Sequence, residues 1–292
     1  MDIVWLPDAT TKPRRLAVGE FDGVHIGHRE VIRDADAVLT FEPHPRTVVA
    51  PASAPKLLTT LEQKADLIAA LGIEELIVIP FDGSFAAQTA QEFIDAELVA
   101  RLGATQVSVG ENFRFGNKAK GDADLLRAQT AFEPRVVPLV EVDGEIVSST
   151  HIRGLVSVGD VAAAARFLGA PFQMRGTVAH GDKRGRTLGF PTANLVPDNA
   201  LVVPDHGIYA CRAEVGGEQR IAAVNVGVRP TFQTGRGLLV EAYLLDFDGD
   251  IYGQELRLEF LARLRGEKRF DSVDALVEQM HRDVDEARRI AA

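Results

Sequence analysis

Leu16–His28, LAVGEFDGVHIGH, decides the reading of the first half of this chain. The apolar run Leu16 to Val18 predicts the end of a buried strand, Gly19 and Gly23 a tight turn, and the residues from Ile26 onward a helix. That order puts His25 and His28 at a helix N-terminus, where free N–H groups and two imidazoles form an anion cradle. Gly19, Gly23 and Gly27 allow close backbone approach to a phosphate. Taken as an isolated pattern, H-x-x-H is equally a metal pair, a catalytic pair or packing. A metal site is the weaker reading, because no third carboxylate or cysteine falls at a standard ligand spacing.

Working outward, short β-branched runs alternate with helical patterns up to about Val140. They are Ala37–Phe41, a helix Leu61–Leu71 closed by Gly72, then Leu76–Pro80, a helix Ala90–Leu102 closed by Gly103, and Gln106–Gly110. This order predicts an α/β domain with a parallel sheet of Rossmann-like type, ligands lying at the C-terminal strand ends. After a helix Asp160–Leu168, Gly169-Ala170-Pro171 ends the helical periodicity, so the domains are expected at 1–169 and 170–292. In the second, Tyr209, Cys211, Ala213 and Val215 alternate with Arg212 and Glu214, and Leu256, Leu258 and Phe260 with Arg257 and Glu259. Such period-two patterning predicts a β-barrel. A C-terminal helix follows over Ser272–Ile290, with Ser272 as N-cap and an apolar stripe of Val273, Leu276, Val277, Met280 and Val284.

Composition narrows the function classes. The 292 residues are 46% hydrophobic and 25% charged, enough for two cores. A formal net charge of −10 argues against a general grip on nucleic-acid backbones. Cys211 is the single cysteine, which excludes an internal disulfide and fits a reducing cytoplasm. The opening residues MDIVWLPDAT lack the pattern of a secretory signal, and no apolar run approaches the roughly 18 residues of a membrane span. A homo-oligomer is compatible with the sequence.

Further motifs follow the expected strands: Thr40–Pro45 (TFEPHP), Gly110–Gly116 (GENFRFG) and Ser148–Arg153 (SSTHIR). The hydroxyls and guanidinium of the last suit the phosphates of a departing pyrophosphate, although such a hexapeptide alone is usually a solvated helix start. Asn112 with Phe113 and Phe115 can frame an aromatic ring, or Phe113 and Phe115 can be core. In the second half, Arg175–Leu195 (RGTVAHGDKRGRTLGFPTANL) is a Gly-rich basic stretch able to fold over phosphates through Lys183, Arg184 and Arg186. Thr192 and Asn194 offer neutral oxygens to Mg²⁺ or a triphosphate. Glu241, within VEAYLLDF, has apolar neighbours that disfavour a fully wet strand face.

With H-x-G-H at His25–His28 and the later S-S-T-H-I-R, the chain resembles the nucleotidylyltransferase superfamily. Its motif order through GFPTAN and Glu241 resembles bacterial bifunctional riboflavin kinase/FAD synthetases over nearly its whole length. The resemblance implies riboflavin and ATP giving FMN, then FMN and ATP giving FAD and pyrophosphate, with Mg²⁺ serving both steps. It implies that His25 and His28 stabilise charge on the α-phosphate, that Gly19, Phe21, Gly23, Gly27, Ser149 and Arg153 bind ATP there, and that Asn112 and Phe113 meet the flavin. For the kinase step it implies Glu241 as the base, Thr192 and Asn194 at Mg²⁺-ATP, and Gly181, Lys183, Gly185, Arg186 and Pro191 at the nucleotide. The motifs Asn225–Phe232 and Arg263–Phe270 are expected in loops shaping the pockets. Glu20 adds a negative charge near the expected triphosphate. One departure, the short segment between His28 and Ala37, predicts an alternative in which a truncated crossover leaves a kinase alone. A flavin-binding regulator without turnover is a further alternative, disfavoured by the presence of both a base and two phosphate sites.

Overall fold

The computed structural model describes residues 1–180, 189–231 and 235–291, with backbone alone at 228–231 and 235–238. Contacts divide the chain into two units, Met1–Ser149 and Thr150–Ala292.

In the first unit the strands β1 (Asp2–Trp5), β2 (Arg14–Val18), β3 (Ala37–Glu42), β4 (Glu75–Pro80), β5 (Ala104–Gly110) and β6 (Glu133–Val137) form one parallel sheet in the order β1-β4-β3-β2-β5-β6. Leu16 and Val18, Leu39 and Phe41, and Ile77 and Ile79 enter one core, while Ala17, Val38, Leu76 and Val78 enter another. Two buried faces explain the near-continuous apolar runs of these strands. Since β3 and β5 flank β2 on opposite sides, the strand order switches at the C-terminal end of β2, where Gly19 begins.

The crossover from β2 to β3 occupies residues 19–36 and contains helix α1 (Ile26–Ile32). The expectation of a truncated crossover is thereby corrected. Measured from His28 it is short, but the loop before α1 belongs to it, and the whole exceeds the dozen or so residues a parallel pair requires. Arg135 of β6 donates to the carbonyls of Glu30 and Val31, so a guanidinium caps the far end of α1. Helix Leu61–Ala69 starts with a capping box between Thr60 and Gln63 and buries Lys64, Ala65 and Ile68. The helix expected over Ala90–Leu102 is α-helical only at its start and π-helical over Phe93–Arg101. Buried Arg14 opens β2 by gripping both carboxylate oxygens of Glu75 and the carbonyls of Thr10 and Leu102. A two-stranded hairpin, β7 (Glu141–Val142) and β8 (Glu145–Ile146), precedes helix Ser149–Ser157.

The second unit is a closed antiparallel barrel of β9 (Phe172–Ala179), β10 (Ala193–Pro197), β11 (Gly207–Val215), β12 (Glu218–Thr231), β13 (Gly235–Leu244) and β14 (Glu255–Arg265), ordered β10-β13-β12-β11-β14-β9. Alternate residues such as Tyr209, Cys211, Ala213, Leu256, Leu258 and Phe260 are buried, as their patterning predicts. Burial pushes the Cys211 thiol well above its ordinary value, leaving it an inert core group. Helix Val161–Leu168, capped by Asp160 and closed by left-handed Gly169, packs on β14 and β9.

Helix Val273–Ala291 packs on β11, β12 and β14, and the Ser272 hydroxyl accepts from the Ala275 N–H at its start. Its expected stripe needs correction at one end. Val273 is 60% exposed, and the buried positions are Asp283, Ala287 and Ala291. The i, i+4 spacing of that set is helical, but its first member is a carboxylate bound to Arg265. The motif from Asn225 to Thr231, expected in a loop, lies inside β12, and Arg263–Arg265 lie inside β14.

Candidate active sites

The loop after β2 carries Phe21, Gly23 and Val24 at φ of 51°, 82° and 40°. Such values are costly for the two residues with side chains, of the order of 1–3 kcal/mol each. Both side chains are buried in one of the sheet's cores, which offsets the strain by about 1.5–3 kcal/mol apiece. Gly23 supplies the intervening left-handed turn at no steric cost.

His25 is the N-cap of α1, its Nδ1 accepting the His28 N–H at 3.2 Å. An accepting Nδ1 assigns the neutral ring's proton to Nε2, making that atom a donor. The two imidazoles stack with centroids 3.4 Å apart and planes 15° from parallel, and Phe21 meets His28 edge-on at 5.3 Å. Because α1 is only seven residues long, an anion site here would rest on these imidazoles rather than on a helix dipole.

The loop is fastened from two sides. The Asp22 carboxylate accepts the N–H groups of Leu58 and Thr59 and the Thr59 hydroxyl, while the Gly23 N–H donates to Thr59 Oγ1. Ser149 Oγ donates to the Asp22 carbonyl at 3.0 Å, bringing the serine of the SSTHIR motif against the same loop. Arg153 follows one turn later on the helix that Ser149 begins. Gly19 donates its N–H to the Leu39 carbonyl, and Gly27 lies where a Cβ would touch the His25 ring. Asn112 is exposed beyond β5. Phe113 stacks on buried Phe115 at 5.5 Å, so one phenylalanine is core and the other leans on it.

In the barrel, Glu241 of β13 stands directly opposite Asn194 of β10 on one side and Asn225 of β12 on the other. Opposed residues of neighbouring strands share a face, with Cβ atoms about 4.5–5.5 Å apart. The alternate residues Ala193, Ala242 and Val224 are buried, so the Asn194–Glu241–Asn225 row occupies the other, half-buried face. Phe190, buried, packs edge-on against Tyr243 and His281, each at 5.1 Å, and anchors the approach of Pro191 and Thr192 to β10. At the end of β14, Arg265 grips both Asp283 oxygens, with the shortest contact 2.7 Å, and Gln279 donates to the same carboxylate. Arg265 and Lys268 both lie 5.8 Å from the Phe270 ring. Gly181, Lys183, Gly185 and Arg186 fall outside the described residues.

Two groups escaped the sequence reading. Lys64 passes for a solvated helix lysine, yet Leu61, Lys64, Ala65 and Ile68 follow the spacing of a buried stripe, and that signal was available. Asn225 reads from sequence as part of a pocket-shaping loop. Only strand register, which sequence does not carry, brings it beside Glu241.

Comparison with known proteins adds independent support. An FAD synthetase family model matches residues 8–151 and a riboflavin kinase family model residues 168–291. The bifunctional riboflavin kinase/FMN adenylyltransferase of Listeria monocytogenes is 37% identical over 95% of this chain and 92% of its own. That of Bacillus subtilis is 39% identical over 94% and 91%, and that of Escherichia coli 38% identical over 92% and 90%. A Streptococcus pneumoniae crystal structure described as a macrolide-efflux protein is 33% identical, superposes with a TM-score of 0.90 and covers 98% of each chain. Among the described residues of the present chain, no helix is long and apolar enough to cross a membrane.

Proposed function

The chain belongs to the bifunctional riboflavin kinase/FMN adenylyltransferase family, and from that premise we propose how its residues share the two reactions. Riboflavin and ATP give FMN and ADP, then FMN and ATP give FAD and pyrophosphate. Full-length relatives named for both activities favour this bifunctional reading over a kinase alone. We assign adenylylation to 1–169 and phosphorylation to 170–292.

In phosphorylation, the Glu241 carboxylate accepts the proton of the riboflavin 5′-hydroxyl as that oxygen attacks the γ-phosphorus and ADP departs. The observation that carries this assignment is the direct opposition of Glu241 and Asn194 across β13 and β10, which sets a proton acceptor beside a neutral oxygen suited to the nucleotide. Thr192 and Asn194 would hold Mg²⁺, a fit consistent with their neutral oxygens, since this ion takes few protein ligands and the rest from phosphates and water. When bound, Mg²⁺ would draw charge from the transferring phosphoryl group. Gly181, Lys183, Gly185, Arg186 and Pro191 complete the nucleotide contacts in this reading.

In adenylylation, an FMN phosphate oxygen attacks the α-phosphorus of ATP, and the bond to the β-phosphate oxygen breaks. No protein nucleophile is needed. His25 and His28 meet charge developing at the α-phosphate, with Gly19, Phe21, Gly23 and Gly27 shaping the loop against the nucleotide. Ser149 and Arg153 receive the pyrophosphate, while Asn112 and Phe113 border the flavin. A cytoplasmic location is part of this reading, and the single cysteine, Cys211, is compatible with it. Incubation of the protein with riboflavin, ATP and Mg²⁺, with flavins separated over time, is expected to show FMN and then FAD. No conversion would overturn the assignment of both sites.

A further inference from the structure

The adenylyltransferase loop presents an electrostatic problem. An ATP triphosphate is to be received by residues 19–28, yet Glu20 and Asp22 lie on that same loop and Glu42 at the end of the adjacent strand β3. Like charges repel most strongly where water is excluded, and Asp22 is buried.

Lys64 lies beneath this loop on helix Leu61–Ala69. It is 5% exposed, and its neighbours on the helix face, Ala65 and Ile68, belong to an apolar core. Burying an ammonium costs several kcal/mol without compensation, and a methionine of similar length would fill the space without it. The compensation is visible. Lys64 Nζ donates to Thr40 Oγ1 at 3.2 Å, and Thr40 Oγ1 in turn donates to the Glu20 carbonyl at 3.1 Å. The charged groups that act electrostatically on the ammonium are Glu20 and Asp22 from the loop and Glu42 from β3. One buried cation thus lies within the influence of three carboxylates and is joined to the loop backbone through the hydroxyl of buried Thr40.

We infer that Lys64 is a positioning residue for adenylylation: its ammonium offsets the acidic charge of the loop, and through Thr40 it fixes the Glu20 carbonyl, so that the histidine pair can receive a polyphosphate. Lys64 touches neither the nucleotide nor the flavin in this account. Burial lowers its proton affinity below that of an ordinary lysine, while the three carboxylates raise it, so its charge is sensitive to their removal. The inference rests on the assignment of residues 19–28 to ATP binding.

Steady-state kinetics of FMN adenylylation test the idea, with thermal unfolding of the same preparation as the folding control and riboflavin kinase activity as the control for the amount of protein. Lys64→Met is expected to raise the KM for ATP about tenfold, the effect of one partly screened charge interaction, with kinase turnover unchanged. Adding Glu20→Gln to that variant is expected to restore most of the loss, which a purely structural role would not do. In the otherwise native protein, adenylylation is expected to fall on the alkaline side at a pH below the usual lysine value of 10.5. Glu20→Gln alone is expected to move that limb to lower pH, because it removes a charge that holds the proton on Lys64. An unchanged KM in folded Lys64→Met overturns the inference. If Lys64→Met does not fold, an alkaline limb unmoved by Glu20→Gln overturns it instead. His28→Ala separates the two levels. Intact adenylylation in that variant would sink the assignment of the loop and the inference with it, whereas loss there beside a normal Lys64→Met would sink the inference alone.

Discussion

The candidate groups of the parallel-sheet unit sit on a loop whose backbone is strained at Phe21 and Val24, whereas those of the barrel stand within hydrogen-bonded strands. The loop reaches its shape only with outside help: Asp22 holds Leu58 and Thr59, Ser149 holds the Asp22 carbonyl, and Arg135 caps α1. For Glu241, among the described residues, ladder register is what sets it between Asn194 and Asn225. Support for the first site is thus spread over residues distant in sequence, and support for the second is built into strand pairing. Substitutions remote from the chemistry should therefore disturb adenylylation more readily than phosphorylation.

The largest effect that tests this contrast belongs to Glu241→Gln, expected to lower riboflavin phosphorylation about 10²–10⁴-fold. FMN supplied directly should still be converted to FAD. Loss of both activities would show that the two sites do not work separately. Next comes Asp283→Ala, which leaves the Arg265 guanidinium without its buried carboxylate and should destabilise the barrel unit by about 3 kcal/mol in denaturant unfolding. If kinase activity survives with stability unchanged, the pair does not secure the segment after β14. His25→Asn keeps an acceptor at the N-cap but removes the stacked imidazole. A roughly 100-fold fall in adenylylation, with stability held within about 1 kcal/mol, would separate chemistry from capping. Equal losses in rate and stability would assign His25 to the loop's architecture alone.

The smallest effect is a difference in acid sensitivity. Hydrogen bonds from Arg14 hold the Glu75 carboxyl below its ordinary value of 4.5. A depressed folded-state value contributes stability that is fully present above about pH 4.5 and is lost as pH falls through the lowered value. Thermal unfolding followed between pH 5 and 3 should show the sheet unit weakening in that window, and Arg14→Met should flatten its pH dependence. An unaltered dependence would remove this ion pair from the account.

Much of this architecture was legible in the residues. β2, β3, β4 and β5 announce themselves because strands buried on both faces read as apolar β-branched runs, and His25 was placed at a helix start because Gly19 and Gly23 follow such a run. The barrel was visible in the alternation of Tyr209 to Val215. The π-helical turns at Phe93–Arg101 were not, since an extra residue per turn leaves no local mark in an amphipathic pattern. Asp283 was hidden for a different reason: a carboxylate on a helix reads as solvent-facing until its partner Arg265, on another element, is known. Lys64 combines both difficulties, having a helix-stripe position that predicts burial and a side chain that predicts the opposite.

The Asn194–Glu241–Asn225 row has a consequence for how such a protein can diverge. Adding or deleting one residue in β13 ahead of Glu241 would turn the glutamate toward the packed interior and bring an apolar neighbour onto the face it now occupies. Because the sheet closes on itself, such a change has no free margin at which to be absorbed. Length variation compatible with the role proposed for Glu241 is therefore confined to the connections between strands, or must arrive as a bulge that restores the alternation before Glu241. In a lineage of such proteins, the spacing between this glutamate and the flanking strand residues should drift far less than the identities of the residues that fill it.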